Sequence, residues 1–161
     1  MPEDFAVLLQ LNLESEAVLS PLSGARLAAL HDQAWYHRVA CMDGTVRAFL
    51  LALCAGAVYD SPNFRWFAER FADFVYIDRI VVSSVARHAG LATMLYGDLL
   101  RRAEREGVRR ITCEFDTDPP NEASRRFHER FGFVEIGAQR VAGGSKGVSL
   151  QELRFPGARQ R

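Results

Sequence analysis

The sequence predicts one α/β domain, a mixed central β-sheet of about seven strands flanked by helices. Three observations carry this. A chain of 161 residues suits a single domain with a real core. Apolar runs of strand length alternate with stripes of helical period, in the order β-α-α-β-β-(loop or helix)-β-α-β-α-β-β. Hairpin signals lie on both sides of a central β-α-β unit, so antiparallel pairs flank a parallel one. No internal repeat, low-complexity linker or shift of composition divides the chain, which predicts one unit over residues 1–161.

Each element has its own warrant. "FAVLLQL" (5–11) is a short apolar run of strand length. "NLESEAVLSPLSGARLAALHDQA" reads as two short helices, the first capped by Asn12 or Ser15, the second opened by Ser20 and Pro21. "WYHRVACM" and "TVRAFLLALCAGA" read as strands around Asp43-Gly44, a two-residue hairpin signal. Ser61-Pro62 starts a helix in an unusually aromatic insert, residues 57–73. "FVYIDRIVVS" (74–83) is the longest strand candidate. Leu91, Met94, Leu95, Leu99 and Ala103 then form a helical stripe that Gly107 closes. "VRRITCEF" (108–115) is a strand, and "DTDPPN" is a turn because adjacent prolines donate no ladder hydrogen bonds. Asn121 caps the helix "EASRRFHERF", which Gly132 ends. "FVEIGAQRV" and "VSLQELRF" are the last strands, and residues 156–161 read as a loose tail.

Composition narrows the function. Twenty basic residues balance twenty acidic ones, so no global field points to nucleic acid or an anionic membrane. The basic stretch "RRAEREGVRR" has the spacing of a solvated helix face. Cys41, Cys54 and Cys113 form no CxxC pair and fall in apolar runs, as reduced, buried thiols do. The first residues lack the basic region and long apolar core of a secretion signal, and no run approaches the ~20 apolar residues of a membrane span. A cytoplasmic protein is expected.

The chemistry gathers behind the long central strand, in "VARHAGLATMLY" (85–96). A helix start leaves N–H groups without partners and carries partial positive charge. Gly90 removes a side chain that would block a ligand, Ala92 nearly does, and Arg87 adds a forked cation. Together they suit a phosphate or pyrophosphate. On this fragment alone an ordinary Gly-containing strand-to-helix turn is an equal reading. The chain has neither Gly-Lys-Ser/Thr nor G-x-G-x-x-G, the marks of a P-loop and of a dinucleotide site.

"IVVSSVARHAGLATMLYGDLL" resembles the acetyl-CoA motif of the GNAT superfamily of N-acetyltransferases, a strand, then Arg/Gln-x-x-Gly-x-Gly/Ala, then a helix. "NEASRRFHERFGFVEIG" is similar to that family's second cofactor motif. The resemblance covers residues 74–138. It implies an acyltransferase moving an acetyl group from acetyl-CoA to an amine, of a small molecule or a protein, without metal. A homodimer is possible in such folds. It also implies that the fourth and fifth predicted strands splay into a cofactor cleft. The pantetheine arm would pair with the backbone of Ile80 and Val82. The N–H groups of His88, Ala89, Gly90, Leu91, Ala92 and Thr93, with Arg87, would hold the pyrophosphate. Asn121, Ser124 and His128 would face the cofactor from one helical stripe, and an N–H at Val81 or Val82 would meet the oxyanion.

His128 stands where the family commonly has the tyrosine that protonates the departing thiolate, so it is the candidate acid. Asp78, an acid inside an apolar strand, is the candidate base, with an ion pair to Arg79 as the competing reading. Glu114 and Asp116 are weaker alternatives. Tyr59, Phe64 and Trp66 are candidates for the acceptor pocket, or else rings that fill the core. Cys113 as an acyl carrier lacks an obvious base. A non-catalytic CoA-binding sensor and a protein using another nucleotide are the rival classes.

Overall fold

The computed structural model describes residues 2–156, so all of the expected loose tail except Pro156 lies outside the described residues. Helix α1 (Phe5–Leu13) and helix α2 (Gly24–Asp32) lead into strands β1 (Ala34–Met42) and β2 (Thr45–Cys54). Helix α3 (Pro62–Ala68), strand β3 (Val75–Val82), helix α4 (Leu91–Arg105) and strand β4 (Arg110–Asp118) follow. Helix α5 (Glu122–Arg130) and strands β5 (Val134–Val141) and β6 (Lys146–Arg154) complete the fold. One six-stranded sheet runs in the order β1-β2-β3-β4-β6-β5, parallel only at β3–β4.

The expected first strand is a helix. Residues 5–11 form most of α1, which buries Leu8, Leu11 and Asn12 along one face. A seven-residue apolar run has no period that separates a strand from a buried helix turn, and here the helix covers the sheet instead of joining it. The sheet therefore has six strands rather than seven, and the expected fourth and fifth strands are β3 and β4. The first of the two expected short helices is a series of turns over 14–18. The second starts at Gly24, where Ser23 Oγ accepts a hydrogen bond from the Arg26 N–H at 3.1 Å, not at Ser20-Pro21.

Elsewhere the local signals hold. Asp43 and Gly44 both take positive φ, 52° and 73°, as a two-residue hairpin of the right twist requires. Ser61 caps α3, with Pro62 in its first turn. Asn121 caps α5 through the Ser124 N–H at 3.1 Å.

Helices cover both faces. On one, α4 packs Leu91, Leu95, Tyr96, Leu99 and Ala103 against Leu50, Ile77, Ile111 and Cys113. Met94, assigned to that stripe by period, is 51% exposed. On the other face α1, α2 and α3 cover Phe49, Leu51, Leu53, Phe74, Tyr76 and Val81.

Strict alternation fails inside β3. Leu51 pairs with Arg79 and Ala52 with Ile77, so Asp78 is the extra residue of a bulge. One inserted residue reverses the facing of everything beyond it. Val81 therefore shares the Tyr76 face, while Ile80 and Val82 pack on the Ile77 side, opposite to what alternation from Tyr76 predicts.

Candidate active site

β3 and β4 pair only at Val75–Ile111 and Tyr76–Thr112. Beyond those two pairs the strands part, and the β3 edge from Ile77 to Val82 has no β4 partner. Two cavities open from the gap. The smaller, about 340 Å³, lies on the α4–α5 side, lined by Ile80, Val82, Arg87, Ala92, Asn121 and Ser124 among others. The larger, about 520 Å³, lies on the α2–α3 side, lined by Arg26, Tyr59, Asn63, Tyr76 and Lys146 among others. Both share Val18, Leu19, Asp78, Arg79, Glu114 and Asp116.

The helix start is built as expected. Gly90 sits at the N-cap of α4 with φ 78°, and no side chain caps the helix. A Cβ at Gly90 would meet nothing within 4 Å, so the backbone there faces open space. His88 also takes positive φ, 70°, which turns the loop through Ala89 into the helix. Arg87 is exposed. Leu91 is buried in the core while Thr93 is exposed, so only their backbone N–H groups are candidates.

Asp78 is fully engaged. Its side chain is 3% exposed, one oxygen accepts from Arg79 Nε at 2.6 Å, and the other accepts from the Tyr59 hydroxyl. Arg79 in turn donates to Asn12 Oδ1 at 2.7 Å, which ties the bulge to α1. The ion pair, the competing reading for Asp78, is the observed one.

Glu114 differs. Its Oε1 accepts from the Tyr76 hydroxyl at 3.0 Å, while Oε2 is buried with no hydrogen-bond partner among the described residues. Burial, with Asp78 and Asp116 nearby, pushes its carboxyl up to about 8. The signal that selected Asp78, an acid flanked by apolar strand residues, was equally present in "TCEF".

His128 is 3% exposed, on the floor of the smaller cavity. Its Nδ1 lies 2.7 Å from the Ser124 carbonyl oxygen, which can only accept, so Nδ1 carries the proton. Burial lowers its pKa and keeps the ring neutral, so Nε2 accepts from the Tyr96 hydroxyl at 2.8 Å. No proton on this ring points into the cavity. Tyr96, on α4, is fully buried. A tyrosine inside an otherwise apolar helical stripe was the available signal.

The aromatic insert divides. Tyr59 lines the larger cavity. Phe64 is 3% exposed and packs on the rings of Tyr59, Phe74 and Tyr76. Trp66 lies on Gly137, where a Cβ would come within 2.4 Å of its ring, and carries the Arg70 guanidinium at 3.9 Å. Phe64 and Trp66 line neither cavity. Cys113 is buried, and burial holds its thiol well above the usual range. Cys41 and Cys54 are exposed rather than buried.

Among the described residues no helix is long and apolar enough to cross a membrane. The model of the acetyltransferase (GNAT) family matches residues 9–133. A phosphinothricin N-acetyltransferase of Streptomyces viridochromogenes is 32% identical over 89 residues, 55% of this chain. The chain spans about half the length of that curated relative, 46%. The fold is that of Ard1 from Thermoplasma volcanium, with TM-score 0.77, 17% identity, and 97% and 94% of the two chains covered. It is also that of yncA from Salmonella typhimurium, solved with its cofactor acetyl-CoA, with TM-score 0.73, 18% identity, and 100% and 94% covered. The family match over most of the chain and the parted strands beside an uncapped helix start agree: this chain belongs to the GNAT acetyltransferase family.

Proposed function

We propose that this chain transfers an acetyl group from acetyl-CoA to an amine in the gap between β3 and β4. One observation carries the reading: the strands part after two residue pairs, with an uncapped helix start and Arg87 on one side and Glu114 at the floor. The residues fit the cofactor. The backbone at Gly90 faces open space, Arg87 and Ala92 line the smaller cavity, and Asn121 and Ser124 line its α5 wall.

Bound acetyl-CoA would supply an acetyl group activated as a thioester. The N–H groups of His88, Gly90, Leu91, Ala92 and Thr93, with the Arg87 guanidinium, would hold its diphosphate, while the Ala89 N–H already donates to the Ala86 carbonyl oxygen at 3.2 Å. The backbone of Ile80 and Val82, open on the edge toward β4, would hold its amide arm, and an N–H at Val81 or Val82 would face the thioester carbonyl oxygen. Holding both reactants in this gap supplies much of the acceleration, because positioning alone contributes several kcal/mol.

The amine must shed a proton before it attacks. Asp78 has both oxygens occupied, so Glu114 takes that proton at Oε2. His128 takes a positioning role, holding Tyr96 and closing the cavity floor, and the proton taken up at Glu114 would return to the departing thiolate. The test is thiol release from acetyl-CoA across a panel of amines, phosphinothricin among them. CoA binding should also be tighter than ATP binding. Binding without any thiol release would defeat the transferase reading.

A further inference from the structure

The larger cavity is lined by five acidic side chains, those of Glu16, Asp60, Asp78, Glu114 and Asp116, against three cations, Arg26, Arg79 and Lys146. Glu114, pushed up to about 8, is mostly protonated at pH 7 in the free protein. Each cation is already paired: Arg26 with Asp60 at 2.6 Å, Arg79 with Asp78 at 2.6 Å, and Lys146 with Asp116 at 3.3 Å. Glu114, on the wall that both cavities share, keeps one buried oxygen unpartnered. We propose, resting on the transferase reading, that the acceptor enters through the larger cavity as a cationic amine with no anionic group near its nitrogen.

The energetics favour a cation at every step. A protonated amine placed at Glu114 Oε2 draws this carboxyl into its ionised form and gives the buried oxygen the donor it lacks. A carboxylate beside the amine finds no unpaired cation. Taking Arg79 from Asp78 would strand two side chains that are 2% and 3% exposed. Taking Lys146 would leave Asp116, 11% exposed, beside Glu114. Arg26–Asp60 is the most exposed of the three pairs, at 36% and 66%, and the weakest point of the argument for exclusion.

The experiment compares amines differing only by a carboxylate on the carbon that bears the amine, such as tyramine with tyrosine and phenethylamine with phenylalanine. Binding to the CoA-loaded protein is read by calorimetry, and transfer by thiol release. The decarboxylated member of each pair should bind and react at least about tenfold better, and Glu114→Gln should weaken its binding by a similar factor. Equal or better use of the amino acids overturns the inference while leaving the transferase reading intact. So does a preference for the amino acids that Arg26→Ala abolishes. Selective binding of the amines without thiol release sustains the charge argument and removes the transferase reading instead.

Discussion

Replacing Glu114 with glutamine keeps the side-chain volume and the acceptor for the Tyr76 hydroxyl, and removes only the ionisation. With the carboxyl pushed up to about 8, about a tenth of it is ionised at pH 7. In the wild-type protein kcat/KM should therefore rise about tenfold per pH unit up to that value. The variant should lose the inflection and fall by roughly 10²–10⁴ in kcat. Stability supplies an independent check. The folded pKa lies above the ordinary 4.5, so this group's contribution is complete below about 4.5 and lost as pH rises through about 8. At ~1.4 kcal/mol per pH unit between about 4.5 and about 8, the buried anion costs on the order of 5 kcal/mol above that range. Glu114→Gln should match wild type in denaturant midpoint at pH 4 and exceed it at pH 9. Parallel stability curves from pH 4 to 9, together with an unchanged rate profile, would refute the assignment.

Other perturbations separate the remaining roles. Asp78→Asn strands the buried Arg79 guanidinium and should cost about 3–5 kcal/mol by chemical denaturation, whatever its effect on rate. Gly90→Val puts a β-branched residue at φ 78° and a side chain over the diphosphate seat, so CoA affinity by calorimetry should drop at least about tenfold. Gly137→Ala drives a methyl into Trp66 and should lower stability by about 1–3 kcal/mol while leaving the KM for the acceptor unchanged; a raised KM would return Trp66 to the pocket. His128→Phe leaves the Tyr96 hydroxyl and the Ser124 carbonyl without this partner, costing about 1–3 kcal/mol by chemical denaturation, and should leave the shape of the pH–rate profile unchanged.

The elements whose signals are local were legible in the chain alone. Asp43-Gly44, Ser61-Pro62, Asn121 and the stripe from Leu91 to Ala103 each specify their turn, cap or helix through contacts a few residues apart. The seat proposed for the cofactor is local in the same sense, because an Arg, a Gly and an Ala at the start of one helix would build it. Tertiary structure decided what depends on residues distant in sequence. It made residues 5–11 a helix, since only the sheet's open face shows what that apolar run must cover. It placed the bulge at Asp78, which depends on how β2 registers with β3 and which reverses the facing of Ile80 to Val82. It also exchanged the roles of two acids that look alike in sequence. Asp78 meets Arg79 and Tyr59 through both oxygens, whereas Glu114 accepts from Tyr76 at one oxygen, lies near Asn63, and has no hydrogen bond at the other among the described residues. An ionisable group's chemistry is set by what surrounds it in space, and those neighbours are brought together only when the chain folds.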